Sequence, residues 1–416
     1  MIFSWNILRR IFCLGLVLAA GGFPAVAVPE SGQGPDRFYL WQRVRIPSVA
    51  AAVDQEPASI PMYYLSRELL SDRTVAVVSP FSERHNESFI PVFRVHAWPD
   101  LDKAFKDGRL KQTLLHELAV VQKEFAMAGR PLAEWQLDLD CPERLLNSYA
   151  AFLADLRPAI APLRLSVTVL PCHLSCHGIA KLAGACDEII LQVHGVEIPK
   201  DPKQKPELLK RSVAEKAIRR AEELELPYRV ALPCYGQRLL YTRGTGKCLG
   251  TASEEAGPEV DSLYESRFCQ PDAADLLALR QQALASPHCR GLVWFRLPVK
   301  GDRFCWDRES VRMLQQGDLP MPGMTTRWAE KSLGLCELIL ENRGILGYRQ
   351  AELKLDWKGS RNVEYGLYAG VAAESMPGVA PATMTCSVPS PGESLRVAWF
   401  RMPVSQQPLV ESHLQP

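Results

Sequence analysis

Residues 134–170 read as one strand–helix–strand unit. The strand Glu134-Trp135-Gln136-Leu137-Asp138-Leu139-Asp140 comes first. Leu145, Leu146, Tyr149, Phe152, Leu153 and Leu156 follow at helical spacing, and then the strand Arg164-Leu165-Ser166-Val167-Thr168-Val169-Leu170. Apolar residues three and four apart share one face of a helix, whereas successive side chains of a strand point to opposite faces. In that order the elements predict two parallel strands joined by a crossover helix.

The pattern extends both ways. Upstream lie the strand-like runs Phe38–Arg45, Pro61–Ser66, Thr74–Ser79 and Ile90–His96 and the helical run Leu110–Met127. Downstream lie the runs Glu188–His194, Tyr228–Pro233 and Gly291–Pro298, with helical patterns over Glu207–Leu224, Asp272–Leu284 and Asp307–Gln315. Nine strand candidates fit a (β/α)8 TIM-barrel-like fold with one supernumerary strand, expected at Thr74–Ser79. The rival is an open doubly wound sheet, yet no Gly-x-Gly-x-x-Gly turn follows an early strand. Tyr235–Gln270, with Gly236, Gly244, Gly246, Gly250 and Gly257, reads as a long loop, functional or disordered, rising from the barrel's active face. Past residue 325 short strands recur over Cys336–Glu341, Ala351–Trp357, Tyr365–Val371 and Ser394–Phe400. They predict a small all-β, sandwich-like C-terminal domain.

The start of the chain has the anatomy of an export signal. Arg9 and Arg10 precede the apolar run Ile11–Ala20, and Ala25-Val26-Ala27 forms a small-x-small cleavage site. The apolar run is shorter than the roughly 20 residues that span a bilayer, and an uncleaved anchor is the rival reading. The expected organisation is a signal peptide over 1–27, the barrel over 28–325, the β unit over 326–402 and a flexible tail over 403–416. That places the mature chain in the periplasm or outside the cell, with no membrane contact after cleavage. Cleavage removes Cys13 and leaves 11 of the 12 cysteines, an odd number in an oxidising compartment, where some pairs could be bridged.

Composition narrows the function. A hydrophobic content of 47% excludes a disordered chain, and a formal net charge of +1 with no long basic run argues against nucleic acid as a partner. Chemistry is sought at the strand ends. Gln136, Asp138 and Asp140 share one strand face, and two carboxylates there are costly unless paired or used; they would perturb each other, raising one pKa and making an acid available near neutral pH. Capping of the helix near Glu143 is the structural alternative. Gln192 and His194 share a face of the next strand but one, Tyr235 follows the strand after that, Trp294 and Arg296 share a face of the last, and Trp41 closes the first. Aromatic rings beside polar groups suit a sugar ring. Asp138 and Asp140 are thus the candidate catalytic pair, and Trp41, Gln136, Gln192, His194, Tyr235, Trp294 and Arg296 the candidate substrate contacts. Two carboxylates this near in sequence lack the spacing a glycosidase needs, so Glu265 is a candidate third. Cys172-His173-Leu174-Ser175-Cys176-His177 admits a metal, haem or disulfide reading. No second ligand pair follows at zinc-like spacing, and no cofactor or metal is expected.

The ordered strand series resembles the DUF3142 family of bacterial exported proteins of unknown function. The resemblance rests on Tyr39-Leu40-Trp41-Gln42-Arg43, Gln136-Leu137-Asp138-Leu139-Asp140, Leu165-Ser166-Val167-Thr168-Val169-Leu170-Pro171, Gln192-Val193-His194, Ala231-Leu232-Pro233-Cys234-Tyr235-Gly236 and Gly291-Leu292-Val293-Trp294-Phe295-Arg296-Leu297-Pro298. It covers roughly residues 38–315. It implies a glycoside-hydrolase-like barrel and the exported location. The aspartates are similar to the chitinase-type Asp-x-Asp-x-Glu strand, but Pro142 stands at the position of the acid and Glu143 comes one place late. Cys172-His173-Leu174 also departs from the aromatic expected there. Two functions remain open: binding or hydrolysis of a carbohydrate or cell-envelope polysaccharide, and non-catalytic glycan or envelope binding on the same scaffold.

Overall fold

The computed structural model describes residues 34–43, 46–77, 89–96, 98, 100–199, 204–225, 227–253, 264–321, 323–332, 334–346, 348, 350–376 and 378–415. The expected signal peptide and Cys13 lie outside them.

Among the described residues twelve strands precede residue 296: β1 (Arg37–Leu40), β2 (Met62–Leu69), β3 (Thr74–Ala76), β4 (Phe89–Val95), β5 (Glu134–Leu139), β6 (Arg164–Val169), β7 (Glu188–Gln192), β8 (Tyr228–Pro233), β9 (Gln237–Thr242), β10 (Cys248–Ala252), β11 (Tyr264–Cys269) and β12 (Cys289–Phe295). Strands β1, β2, β4, β5, β6, β7, β8 and β12 pair in that order, all parallel, and β1 pairs with both β2 and β12. The ring is therefore a closed eight-stranded barrel. β3 lies antiparallel on β2 outside the ring, as the supernumerary strand.

Helices α1 (Pro47–Val53), α2 (Leu101–Lys106), α3 (Arg109–Met127), α4 (Leu146–Ile160), α5 (Ile179–Gly184), α6 (Arg211–Glu223), α7 (Ala273–Ala285) and α8 (Arg308–Gln316) surround it. Their apolar stripes face the strands: α3 buries Leu110, Leu114, Leu118, Val121 and Phe125. Asp272 caps α7 through the amides of Ala274 and Asp275, and Asp307 caps α8 through that of Ser310. A left-handed glycine, Gly317, ends α8.

The outward side chains of the strands, Trp135 and Trp294 among them, fill the layer under the helices. The inward ones stack in levels. At the amino ends Arg229 pairs with Glu188 at 3.2 Å, and Arg37 donates to the Tyr63 hydroxyl at 3.0 Å. Gly291, at φ +121°, makes room for this level. A Cβ there would stand 2.8 Å from Arg229 Nη1 and 2.7 Å from the Gly34 carbonyl oxygen. Above lie Tyr39, Tyr63, Ile90, Val92, Ile190, Ala231 and Val293.

Two expectations change. Within the long glycine-bearing segment the described residues form a three-stranded antiparallel sheet in the order β10-β9-β11. Leu239 and Tyr241 are buried beneath it, an alternation that the glycine content masks. Beyond it, β13 (Gly323–Ser332), β14 (Leu335–Arg343), β15 (Gln350–Asp356), β16 (Glu364–Leu367), β17 (Ala372–Ala373), β18 (Thr383–Ser387), β19 (Ser394–Arg401) and β20 (Leu409–Gln415) form two four-stranded antiparallel sheets. They share a core of Leu338, Leu340, Leu353, Met384 and Phe400. The predicted flexible tail, 403–416, is corrected. Its last strand pairs with the full length of β15, because Val410 and Leu414 pack on that core.

Candidate functional site

The carboxyl ends of the barrel strands surround a cavity of about 280 Å³. β1 leads to Trp41, β2 contributes Glu68, and β4 gives Arg94 and leads to His96. β5 and β6 give Asp138 and Thr168, β7 gives Gln192 and leads to His194, and Tyr235 and Phe295 close the ring. Gln237 and Ser253, from the antiparallel sheet, overhang it. A second cavity of about 400 Å³ shares Arg94 and His96 with the first and is walled by Trp98, Leu101, Asp140, Arg144 and Leu145.

Asp138 and Asp140 do not confront each other as bare carboxylates. Arg94 stands between them, Nη1 at 2.8 Å from Asp138 Oδ2 and Nη2 at 2.5 Å from Asp140 Oδ2. Burial works against the Arg94 charge, but the two carboxylates outweigh it and raise its pKa above the ordinary value. The Thr168 hydroxyl donates to Asp138 Oδ1 at 2.7 Å. Both oxygens of Asp138 are thus engaged. The two carboxylates, expected to face each other, are instead clamped, since the neighbouring strand supplies a cation.

A second cluster lies two strands away. Glu68 accepts from Arg43 Nε at 2.9 Å and Nη2 at 2.8 Å, and from His96 Nε2 at 2.9 Å. The Arg43 hydrogen bonds, opposed by burial and aided by His96, hold Glu68 below the usual carboxylate range.

Aromatic rings form the remaining wall. Trp41 meets Phe295 at 5.1 Å and Tyr39 edge-on at 5.7 Å, and Phe295 touches both Tyr235 and His194. His194 Nδ1 donates to the Ala231 carbonyl at 3.2 Å, so Nε2 is left as an acceptor. Burial pulls the His194 pKa from 6.5 down to about 4, against the Ala231 hydrogen bond. Between those values the unfolded chain holds a proton that the folded chain does not. Stability should therefore fall as pH is lowered from about 6.5 toward 4, by up to about 3 kcal/mol. Urea unfolding at pH 7 and 4.5 should show a smaller loss in His194→Gln than in the parent. Equal losses would refute this origin.

The structure brings Trp41, Asp138, Gln192, His194 and Tyr235 to one cavity and sets Asp140 on the partition to the next. It does not bring the other candidates there. Gln136 is fully buried below the floor, accepting from the Tyr39 hydroxyl at 2.8 Å. Trp294 faces the helix layer and donates to Asp36 at 2.9 Å. Arg296, one residue past β12, is buried and pairs with Asp302 at 2.6 Å. The alternation of β12 turns Val293 and Phe295 inward and Trp294 outward, and Arg296 lies beyond the last residue of the strand. Glu265, on β11, pairs with Arg267 and does not line the cavity.

Arg94, His96, Glu68 and Arg43 were missed. The alternation of Ile90–His96 already puts Arg94 and His96 on one face. Glu68 lies past Ser66, where the predicted strand stops and the real one does not. In the Cys172–His177 segment, His173 is buried between the Leu170 amide and the Cys141 carbonyl. The eleven described cysteines are unbridged, and no group of three or more His, Cys, Asp or Glu among the described residues could hold a metal ion. No helix among them is long and apolar enough to cross a membrane.

Similar solved structures include the Bacillus cereus spore cortex-lytic enzyme SleL, at 12% identity and TM-score 0.48, covering 68% of this chain and 74% of that one. A chitinase from Chromobacterium violaceum matches at 14% identity and TM-score 0.48, covering 68% and 98%. One from Bacteroides thetaiotaomicron matches at 12% and 0.45, covering 64% and 90%. No curated protein matches the chain. Residues 104–300, from within α2 to just beyond β12, match the family model described as a domain of unknown function, DUF3142, the family that the strand series resembles.

Proposed function

We propose that the barrel binds a carbohydrate at its mouth, the ligand being a cell-envelope glycan met after export. One observation carries the reading: an aromatic wall of Trp41, Tyr235 and Phe295 faces polar groups already held in ion pairs, Asp138 and Asp140 on Arg94 and Glu68 on Arg43. Such a surface offers donors and acceptors held in fixed positions. It suits a neutral ring with hydroxyls at its edge and an apolar face to lay on indole.

The clamp on Asp138 supports recognition by the aspartates in preference to acid catalysis by them. Pro142 stands where a chitinase-type acid would, and Glu143 is outside the cavity. Calorimetric titration with β-1,4-linked hexasaccharides of glucose, glucosamine and N-acetylglucosamine tests the reading. At least one should bind, and Trp41→Ala should weaken it about tenfold, the equivalent of about 1.4 kcal/mol. No binding at millimolar sugar, or an unchanged affinity in the variant, would sink the reading.

A further inference from the structure

We infer that His96 is an acid–base group of this site, positioned by Glu68, and that it acts on the linkage between two sugar units, one in the mouth cavity and one in the flanking cavity. The inference rests on the carbohydrate reading above and adds an activity to it.

His96 lines both cavities and its side chain is 40% exposed, so a chain running from one to the other passes over it. Its Nε2 is 2.9 Å from Glu68 Oε1, and Arg43 grips the same carboxylate through two nitrogens. A carboxylate held ionised by a guanidinium accepts a hydrogen bond, so the Nε2 proton is fixed toward Glu68. Nδ1 is left for the ligand, and among the described residues it has no protein partner. The other titratable groups at the mouth are placed less well for proton transfer. Asp138 is clamped by Arg94 and Thr168, and burial keeps His194 neutral.

The step is a hydrolysis. Doubly protonated His96 gives its Nδ1 proton to the bridging oxygen as the bond from that oxygen to the anomeric carbon breaks. A water adds to that carbon and returns one proton to Nδ1. One linkage and one water become two hydroxyl-ended sugars. The Asp138 carboxylate faces the positive charge that develops at the carbon, while Arg94 and Arg43 hold the two carboxylates and Asp140 marks the partition.

The test uses the full chain and the same three hexasaccharides, with binding read by calorimetry and cleavage by chromatography. The parent should bind one and cleave it. His96→Gln should lose at least about a hundredfold in kcat with KM within twofold. Glu68→Gln should lose about tenfold in kcat, also with KM within twofold, whereas a merely structural role for Glu68 would move both. Circular dichroism of both variants checks folding, and the exposed His96 makes the glutamine variant the safer of the two. Binding without cleavage by the parent, or a His96→Gln variant as fast as the parent, overturns this inference and leaves the carbohydrate reading standing. No binding at all removes both.

Discussion

Arg94→Met is expected to lower the unfolding free energy by about 3–5 kcal/mol and to abolish ligand binding. The Asp138 side chain is 4% exposed, and without Arg94 it keeps only the Thr168 hydroxyl. A carboxylate in that position must be left unpaired or take up a proton, and both are costly. The isosteric Asp138→Asn change removes the charge that Arg94 answers. The double variant Arg94→Met/Asp138→Asn should accordingly recover most of the lost stability and none of the binding. Urea unfolding at pH 7 measures the first and calorimetry the second. A single variant within about 1 kcal/mol of the parent would contradict the clamp.

Arg229→Met should cost a similar amount, about 3–5 kcal/mol, at the opposite end of the barrel. Arg229 and Glu188 are each almost fully buried and 3.2 Å apart, and Arg229 also reaches the Pro35 carbonyl at 3.4 Å. Here the consequence for ligand differs. Polar groups at the amino ends of barrel strands serve stability, and the mouth lies at the other rim. The variant should unfold at lower urea yet, while folded, bind the hexasaccharide with parental affinity. Adding Glu188→Gln should restore part of the loss. A weakened affinity in the folded variant would show that the two ends are coupled.

Periodicity made the barrel legible because each strand is buried on two sides and each helix on one, and both requirements mark the sequence. The supernumerary strand expected at Thr74–Ser79 is β3, paired antiparallel on β2 outside the ring. β20 was not legible, because its inward residues Val410 and Leu414 are separated by the polar Glu411, Ser412 and His413. The site was half legible. Asp138, His194 and Tyr235 reach the cavity because they stand at or just beyond the carboxyl ends of strands whose polar side turns inward. Trp294 and Arg296 were assigned to the cavity although alternation alone fixes which residues share a face, not which face is inside. The Arg94 clamp depends on β4 lying beside β5, a pairing between chains of residues 44 apart that no local pattern records.

The register that matches Arg37 with Val293 has a consequence for how the chain comes to be folded. The first stave of the ring waits for the last, more than 250 residues later in synthesis. Until that final stave leaves the ribosome the nascent half-cylinder has two raw edges and no seam. Sealing is a late, single event, and whatever escorts the polypeptide before then meets an unsealed ring.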